Sequence, residues 1–507
     1  MEQAGEPLCG TVRELCAGKL EFRRGMMKVL VANPPWPGKG YGARSDVRWP
    51  HKRSDKYLEY PIYLAYVVAV LEQAGLEVDF VDGVMEEMSI ADFAQAAAGI
   101  EPDLVVIECS TPSINHDLQT AEAVKESVDG TFVTLIGSHP TFFHEDILRD
   151  NPAVDGICRG EFEMTVKELA FSLAHSGDLS RVTGLSYREG GEVRVNPPRP
   201  LIQDLDSLPF PARHIVRHDG YRAAIYSGDC PTAMISSRGC PYHCIYCLWP
   251  ETLYGHKFRA RSAVNVVDEM EHVVTGYGVD EIYFDDDCLT LNKKRVLETC
   301  RLLLERGVEV KWIAQSRVDT VDREMLTAMK EAGCHYILFG VESGSPKMLE
   351  IMKKRISLDK VRETFRDCRE LGIKTQAFFL FGVPGESQET IQETIEFANE
   401  VEADSTQFAI AIPHPGTELY QICTEHGWLI YDRWEDFAAE NSLIETDQLT
   451  REDVEKARIR AYKRYYFRPK FVARSLLRIR NFQDIKRLLR GGKSVLDRIS
   501  FFGRHVG

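Results

Sequence analysis

Cys240, Cys244 and Cys247 stand in the segment SSRGCPYHCIYC with C-x3-C-x2-C spacing. Three thiolates on one tight loop can hold three irons of a cubane [4Fe–4S] cluster and leave the fourth iron open to an outside ligand. An open iron is what reductive cleavage of a sulfonium needs. A structural zinc site is the competing reading, but it usually wants four closed ligands, and the motif offers three. His243 is a poor fourth, because it lies inside the loop between two of the ligands. Buried, inert cysteines are the third reading. The other cysteines show no second compact spacing, and Cys9 and Cys16 sit far apart on an unpatterned leader. An odd total of 13 cysteines, scattered through a large chain, fits a reducing compartment better than a disulfide framework.

The elements that must position this loop are short apolar strands alternating with helical text. Strand candidates are TAMIS (232–236), DEIYFDD (280–286), VKWIAQSR (310–317), HYILFGVES (335–343), KTQAFFLFG (374–382) and DSTQFAIAIP (404–413). Six β/α units with no Rossmann glycine fingerprint at their start predict a partial (β/α)6 TIM-like barrel over 231–425, with the cysteines just after its first strand. An earlier alternation spans 27–175: MKVLVANPP, the helical IYLAYVVAVLEQAG, VDFVD, a helix near 89–98, DLVVIECS, a helix near 117–127 and TFVTLIG. It predicts a doubly wound, Rossmann-like parallel sheet, whose ligands would meet the C-terminal ends of the strands. The Pro- and charge-rich stretch 176–230, with a hairpin-like centre at Gly190-Gly191, is taken as a linker, 1–26 as an extension, and 426–507 as a helical C-terminal region.

A chain of 507 residues, 44% hydrophobic and 27% charged, is a multi-domain globular protein of α/β class. No stretch reaches the roughly eighteen apolar residues of a membrane span, and the N-terminus lacks the order of a signal peptide, so a cytoplasmic location is expected. The net charge of −15 hides a basic tail, with about fifteen Lys and Arg against two acids from Arg458 onward. The acidic remainder argues against nucleic acid as a partner. The tail interleaves aromatics, leucines and arginines at helical spacing; it either packs on the barrel or touches the inner face of an anionic membrane.

The C-x3-C-x-aromatic-C pattern, with Tyr246 in the aromatic place, resembles the signature of the radical S-adenosylmethionine (SAM) superfamily over about 231–425. The resemblance implies that the unique iron binds the amino and carboxylate groups of SAM and that one electron, from a flavodoxin- or ferredoxin-type donor, breaks its C–S bond to give a 5′-deoxyadenosyl radical. It carries Asp285 and Asp286 to the methionine amine, a sensible carboxylate–ammonium pairing. It carries Glu342 and Ser343 to the ribose, and Gly382, Pro384 and Gly385 to the adenine side. Gln315, with Gln376, Gln407 and His414, lines the strand ends as a polar pocket for SAM or substrate. The pattern over 27–175 is similar to the cobalamin-binding (B12) domain that precedes many such barrels, with Asn33, Ser110, Thr111, Gly137, Ser138, Gly160 and Glu161 as candidate cradle positions. Each of these also reads as an ordinary turn residue. None of the 14 histidines has an Asp two residues before it, so the Asp-x-His-x-x-Gly cobalt ligand is missing.

Together these resemblances imply a class B radical SAM C-methyltransferase acting on a small-molecule, lipid or peptidyl substrate. One SAM would methylate cobalamin by a polar route. A second, cleaved at the cluster, would make the substrate radical that accepts the methyl group. The same parts without methyl transfer would make an oxidative cyclase or ring-rearranging enzyme on a tetrapyrrole or lipid. A non-catalytic cobalamin sensor or carrier is the third reading.

Overall fold

A computed structural model describes residues 27–477 except 39, 45–49, 54–55, 57, 176, 219, 223–224 and 439–440. The leader with Cys9 and Cys16, and the tail beyond 477, lie outside the described residues.

The first sheet is built from β1 (Lys28–Asn33), β2 (Glu77–Asp82), β3 (Leu104–Glu108), β4 (Phe132–Ile136) and β5 (Gly156–Cys158), followed by the hairpin β6 (Leu185–Glu189) and β7 (Glu192–Val195). Its order is β2-β1-β3-β4-β5-β6-β7, parallel through β5 and antiparallel after it. The chain starts in the interior and winds both ways, so the sheet has a switch point beside β1. β3 is buried along its whole length, which is why LVVIE reads as an unbroken apolar run rather than an alternation. The hairpin corrects the sequence reading of 176–230 as a linker. Its turn is the expected Gly190-Gly191, but its strands extend the sheet and cover the edge that the three-residue β5 would otherwise expose.

The second sheet is β8 (Pro231–Met234), β9 (Glu281–Phe284), β10 (Lys311–Ser316), β11 (Cys334–Glu342), β12 (Lys374–Phe381) and β13 (Ser405–Ile410), all parallel and in sequential order. Every crossover steps the same way, with no reversal point, as in a wound barrel. The crossover helices start on side-chain caps, Ser262, Asn292, Asp322, Ser357 and Ser387, each accepting a backbone N–H of the first turn.

The helix Ile62–Gln73 joins the halves. It is buried on every side from Ile62 to Leu71, so its hydrophobicity has no stripe. One core runs through it, from β1 and β3 on one side to Trp249, Tyr254, Tyr283, Ile313 and Leu338 on the other. After the barrel, 426–450 is not the helix expected there. It is an irregular strap with a β-bridge between Leu429 and Ile444 and a 3-10 turn at Trp434–Phe437, held by aromatic packing rather than helical periodicity. Helices Arg451–Tyr466 and Pro469–Leu477 follow. Among the described residues no helix is long and apolar enough to cross a membrane.

Candidate cofactor sites

The three cysteines ride on a loop between the short paired strands Ser237–Arg238 and Arg259–Ala260. Gly239, at φ +83°, opens the loop; a Cβ there would lie 2.4 Å from the Lys257 carbonyl oxygen, so only glycine allows the chain to turn so close. Backbone bonds fix the loop from three directions: Cys240 N–H to Gly255 O (3.3 Å), Ile245 N–H to Met352 O (3.3 Å) and Leu419 N–H to Ile245 O (2.8 Å). All three cysteines are half-buried, whereas Cys109, Cys158, Cys300, Cys334, Cys368 and Cys423 are buried. Burial pushes the thiols of Cys158, Cys300, Cys368 and Cys423 up to about 12, so those sulfurs stay protonated.

Two cations that the motif reading missed stand beside the loop. The Arg317 guanidinium lies 3.6 Å over the Tyr242 ring, forks onto Asp319 with two 2.9 Å bonds and brings a nitrogen 4.0 Å from Cys244 Sγ. Lys354 pairs with Glu342 at 2.9 Å; burial disfavours its charge, but the carboxylate outweighs burial and its pKa is raised. Each cation is matched by its own carboxylate, Asp319 or Glu342, so the two pairs add no net charge beside Cys244. The only sequence signal for Arg317 is a basic residue just past a barrel strand; Lys354, beyond the helix Pro346–Ile351, has none.

The remaining predicted barrel residues fall into two groups. Asp285, at the end of β9, is met by Tyr283, Gln315 (3.2 Å) and Tyr63 (3.5 Å), the last reaching in from the helix of the first half. Gln315 also bonds Tyr283, while Gln376 accepts from Tyr336 (3.0 Å). Glu342 holds φ +69°, a left-handed conformation rare for a non-glycine residue, in the irregular end of β11 beside Lys354. Tyr246 packs with Leu380 and Val383 at the ends of β12 and its loop.

In the second group the side chains and amides are engaged within the protein. Asp286 spends its carboxylate on Ser236 N (2.7 Å) and on the hydroxyls of Ser236 and Ser237. Ser343 is buried and bonded to Thr394 (2.9 Å) and Ser345 N (3.1 Å). The Gly382 amide is taken by Glu386, the last residue of the same glycine-containing run; burial raises the Glu386 carboxyl to about 8, so it is protonated near neutrality. Pro384 and Gly385, at φ +90°, complete that turn.

In the first half the structure gathers Asn33, Ser110, Thr111, Gly137 and Ser138 at the C-terminal ends of β1, β3 and β4, which are neighbours in the sheet. Gly137, at φ +114°, lets β4 end so close to β3 that a Cβ would lie 2.2 Å from the Cys109 carbonyl oxygen. These residues are buried along the C-terminal edge of the sheet, the edge at which doubly wound domains take their ligands, as a corrinoid-binding domain does. Asn33 is tied into a buried network: Arg44 donates to it (2.7 Å) and pairs with Asp117 (2.6 Å), and Asn33 donates to Asp82 (2.9 Å). His139 bonds Thr111 (3.2 Å) and lies against Trp434 of the strap; burial, with His414 nearby, lowers it to about 3, and burial lowers His414 to about 4, so both rings are neutral.

Glu161, just past β5, sits in a buried ion cluster. Its carboxylate receives Arg238 (2.8 Å), Arg259 (2.8 Å) and Ile202 N (2.7 Å), while Glu163 takes the other arm of Arg238 (2.6 Å). All four side chains are buried. Gly160 lies beside it, its N–H bonded to Thr141 (3.0 Å). Arg238 and Arg259 are the two ends of the cysteine loop, so this ion cluster clamps that loop to the first half.

Residues 234–398 match the Radical SAM superfamily and residues 52–170 match the B12 binding domain. An uncharacterized methyltransferase of Pyrococcus horikoshii is 34% identical over 431 residues, covering 85% of this chain and 93% of that protein. An anaerobic magnesium-protoporphyrin IX monomethyl ester cyclase of Cereibacter sphaeroides is 29% identical, covering 87% and 71%. The fold is also that of a radical SAM methyltransferase from Kitasatospora setae, TsrM, solved with cobalamin and a [4Fe–4S] cluster bound: TM-score 0.64, 18% identity, covering 80% of this chain and 79% of that one.

Proposed function

The chain belongs to the cobalamin-dependent radical SAM methyltransferase family, whose cofactors are a [4Fe–4S] cluster, SAM and cobalamin, and from that premise we propose that it methylates an unactivated carbon. In this reading Cys240, Cys244 and Cys247 hold the cluster. Asp285, Glu342 and the Gly382–Gly385 turn face SAM, and the crest from Asn33 to Ser138 holds the corrinoid. When bound, the cluster delivers the electron that cleaves SAM, and cobalamin carries the methyl group.

The chain's own task is placement. Methyl transfer to a carbon radical needs the target carbon within reach of both cofactors at once, with competing donors and water kept out. The observation that carries the reading is the Glu161–Arg238–Arg259 cluster, which ties the cysteine loop to the sheet of the B12 half. Arg317, bonded to the Lys354 carbonyl, holds its guanidinium against Cys244, and Tyr63 with Gln315 orients Asp285. A flavodoxin- or ferredoxin-type protein supplies the electron, and the substrate is a small molecule, a lipid or a peptidyl side chain.

The cyclase relative favours a second reading, oxidative cyclisation with the same parts. Anaerobic, reconstituted enzyme given methyl-deuterated SAM and host extract separates the two. Methyl transfer puts label in a new product and yields both 5′-deoxyadenosine and S-adenosylhomocysteine. Product formed with 5′-deoxyadenosine but without label supports the cyclase; no 5′-deoxyadenosine at all rejects both.

A further inference from the structure

On the outer side of the cysteine loop three side chains converge that the radical chemistry leaves unused. His243 lies between Cys240 and Cys244, Glu251 stands on the π-helical turn Pro250–Tyr254, and His256 follows that turn. One ligand-capable atom from each lies within 4.8 Å of the others. π-Helical turns are uncommon and concentrate at functional sites.

The surroundings of His256 point to a cation. Its Nδ1 faces two carbonyl oxygens, Cys240 O at 3.0 Å and Tyr242 O at 3.1 Å, and therefore carries a hydrogen. In the neutral ring Nε2 is then the lone-pair atom, yet it faces Glu251 Oε1 at 2.9 Å. Two electron-pair donors at that distance need a positive centre between them, either a proton or a metal ion. An imidazole whose far nitrogen donates to backbone carbonyl is also the arrangement that orients and strengthens a metal-binding histidine. The His243 ring stacks on His256, with centroids 3.9 Å apart and planes 29° from parallel.

We propose that His243, Glu251 and His256 form a second metal site, for a divalent cation of the zinc class bound by two imidazole nitrogens and one carboxylate oxygen, with its outer face left to water. Nitrogen and oxygen ligands set it apart from the thiolate-bound cluster. Because His256 also holds the Cys240 carbonyl, the cation braces the cysteine loop against the π-turn. The site does not depend on which substrate the enzyme takes.

The test uses the full-length chain, reconstituted with its cluster under anaerobic conditions, given zinc sulfate, desalted and analysed for zinc and iron. One zinc per chain is expected, with iron content and cubane absorption unchanged and a zinc K-edge spectrum fitted by nitrogen and oxygen alone. His243→Asn and Glu251→Gln, both on the exposed side of the loop, weaken zinc binding by about tenfold or more in competition with a chromogenic chelator. His256 is left intact so that the Cys240 carbonyl keeps its partner. Zinc uptake matched by iron loss or by sulfur scattering assigns the zinc to the thiolates and overturns the proposal. So does zinc binding insensitive to both substitutions, or no uptake, in which case a proton fills the His256–Glu251 gap.

Discussion

The cysteine loop and the crest of the first sheet both sit at the C-terminal ends of parallel strands, but they are built in opposite ways. The loop gathers its three sulfurs within eight residues and leaves them half-buried beside Arg317. The crest gathers Asn33, Ser110, Thr111, Gly137 and Ser138 from three strands over about a hundred residues, and ties Asn33 into a buried network through Arg44, Asp117 and Asp82. A compact covalent ligand set needs a local motif, whereas a broad corrinoid surface needs a fold. Glu161 links the two kinds of site.

Glu161→Gln is expected to have the largest effect on this comparison, because it damages both regions. It removes the buried charge facing Arg238 and Arg259, and breaking a buried ion pair from one side costs about 3–5 kcal/mol. Anaerobic denaturation should show that loss, along with lower cluster occupancy and lower cobalamin retention. Loss of only one cofactor would mean that the two sites are not coupled through Glu161.

Gly137→Ala sharpens the contrast by touching the crest alone. The left-handed backbone and the close Cys109 carbonyl make any Cβ strained, at a cost of about 1–3 kcal/mol. Cobalamin retained after desalting should fall while the cluster spectrum stays the same; an equal fall in both would erase the distinction.

These two residues also mark what was legible in the sequence. The cysteine triad was legible because all its ligands are local, and the strand succession because apolar runs and glycine turns are local too. The doubly wound sheet and the sequential barrel follow from that pattern. Glu161 was visible as a charged residue after a strand, but not as an ion hub, because Arg238 and Arg259 lie 77 and 98 residues away. Asp286 looks equivalent to Asp285 in the sequence, but its hydrogen bonds go to Ser236 and Ser237. Arg44, Arg317 and Lys354 have no motif around them. The β6–β7 hairpin was seen as a turn, but its place in the sheet depended on an open edge at β5.

A pH-dependent effect concerns the turn after β12. Glu386 has a folded pKa near 8, raised by burial from an ordinary value of 4.5. Its contribution to stability is complete below the unfolded value and is lost as pH rises through about 8, because the buried acid must then ionise. Thermal melts between pH 5 and 9 should show wild type losing more stability with rising pH than Glu386→Gln; parallel curves would place the carboxyl in contact with water or a cation.

The most direct test of the whole account asks whether one iron of the cluster is open to SAM. Electron–nuclear double resonance on the reduced, reconstituted enzyme, with SAM labelled at the amino nitrogen and carboxylate oxygens, should show coupling from both labels, and Cys244→Ala should abolish the cluster signal and the couplings together. A cluster that shows no coupling to either label, or one that survives Cys244→Ala unchanged, would contradict it.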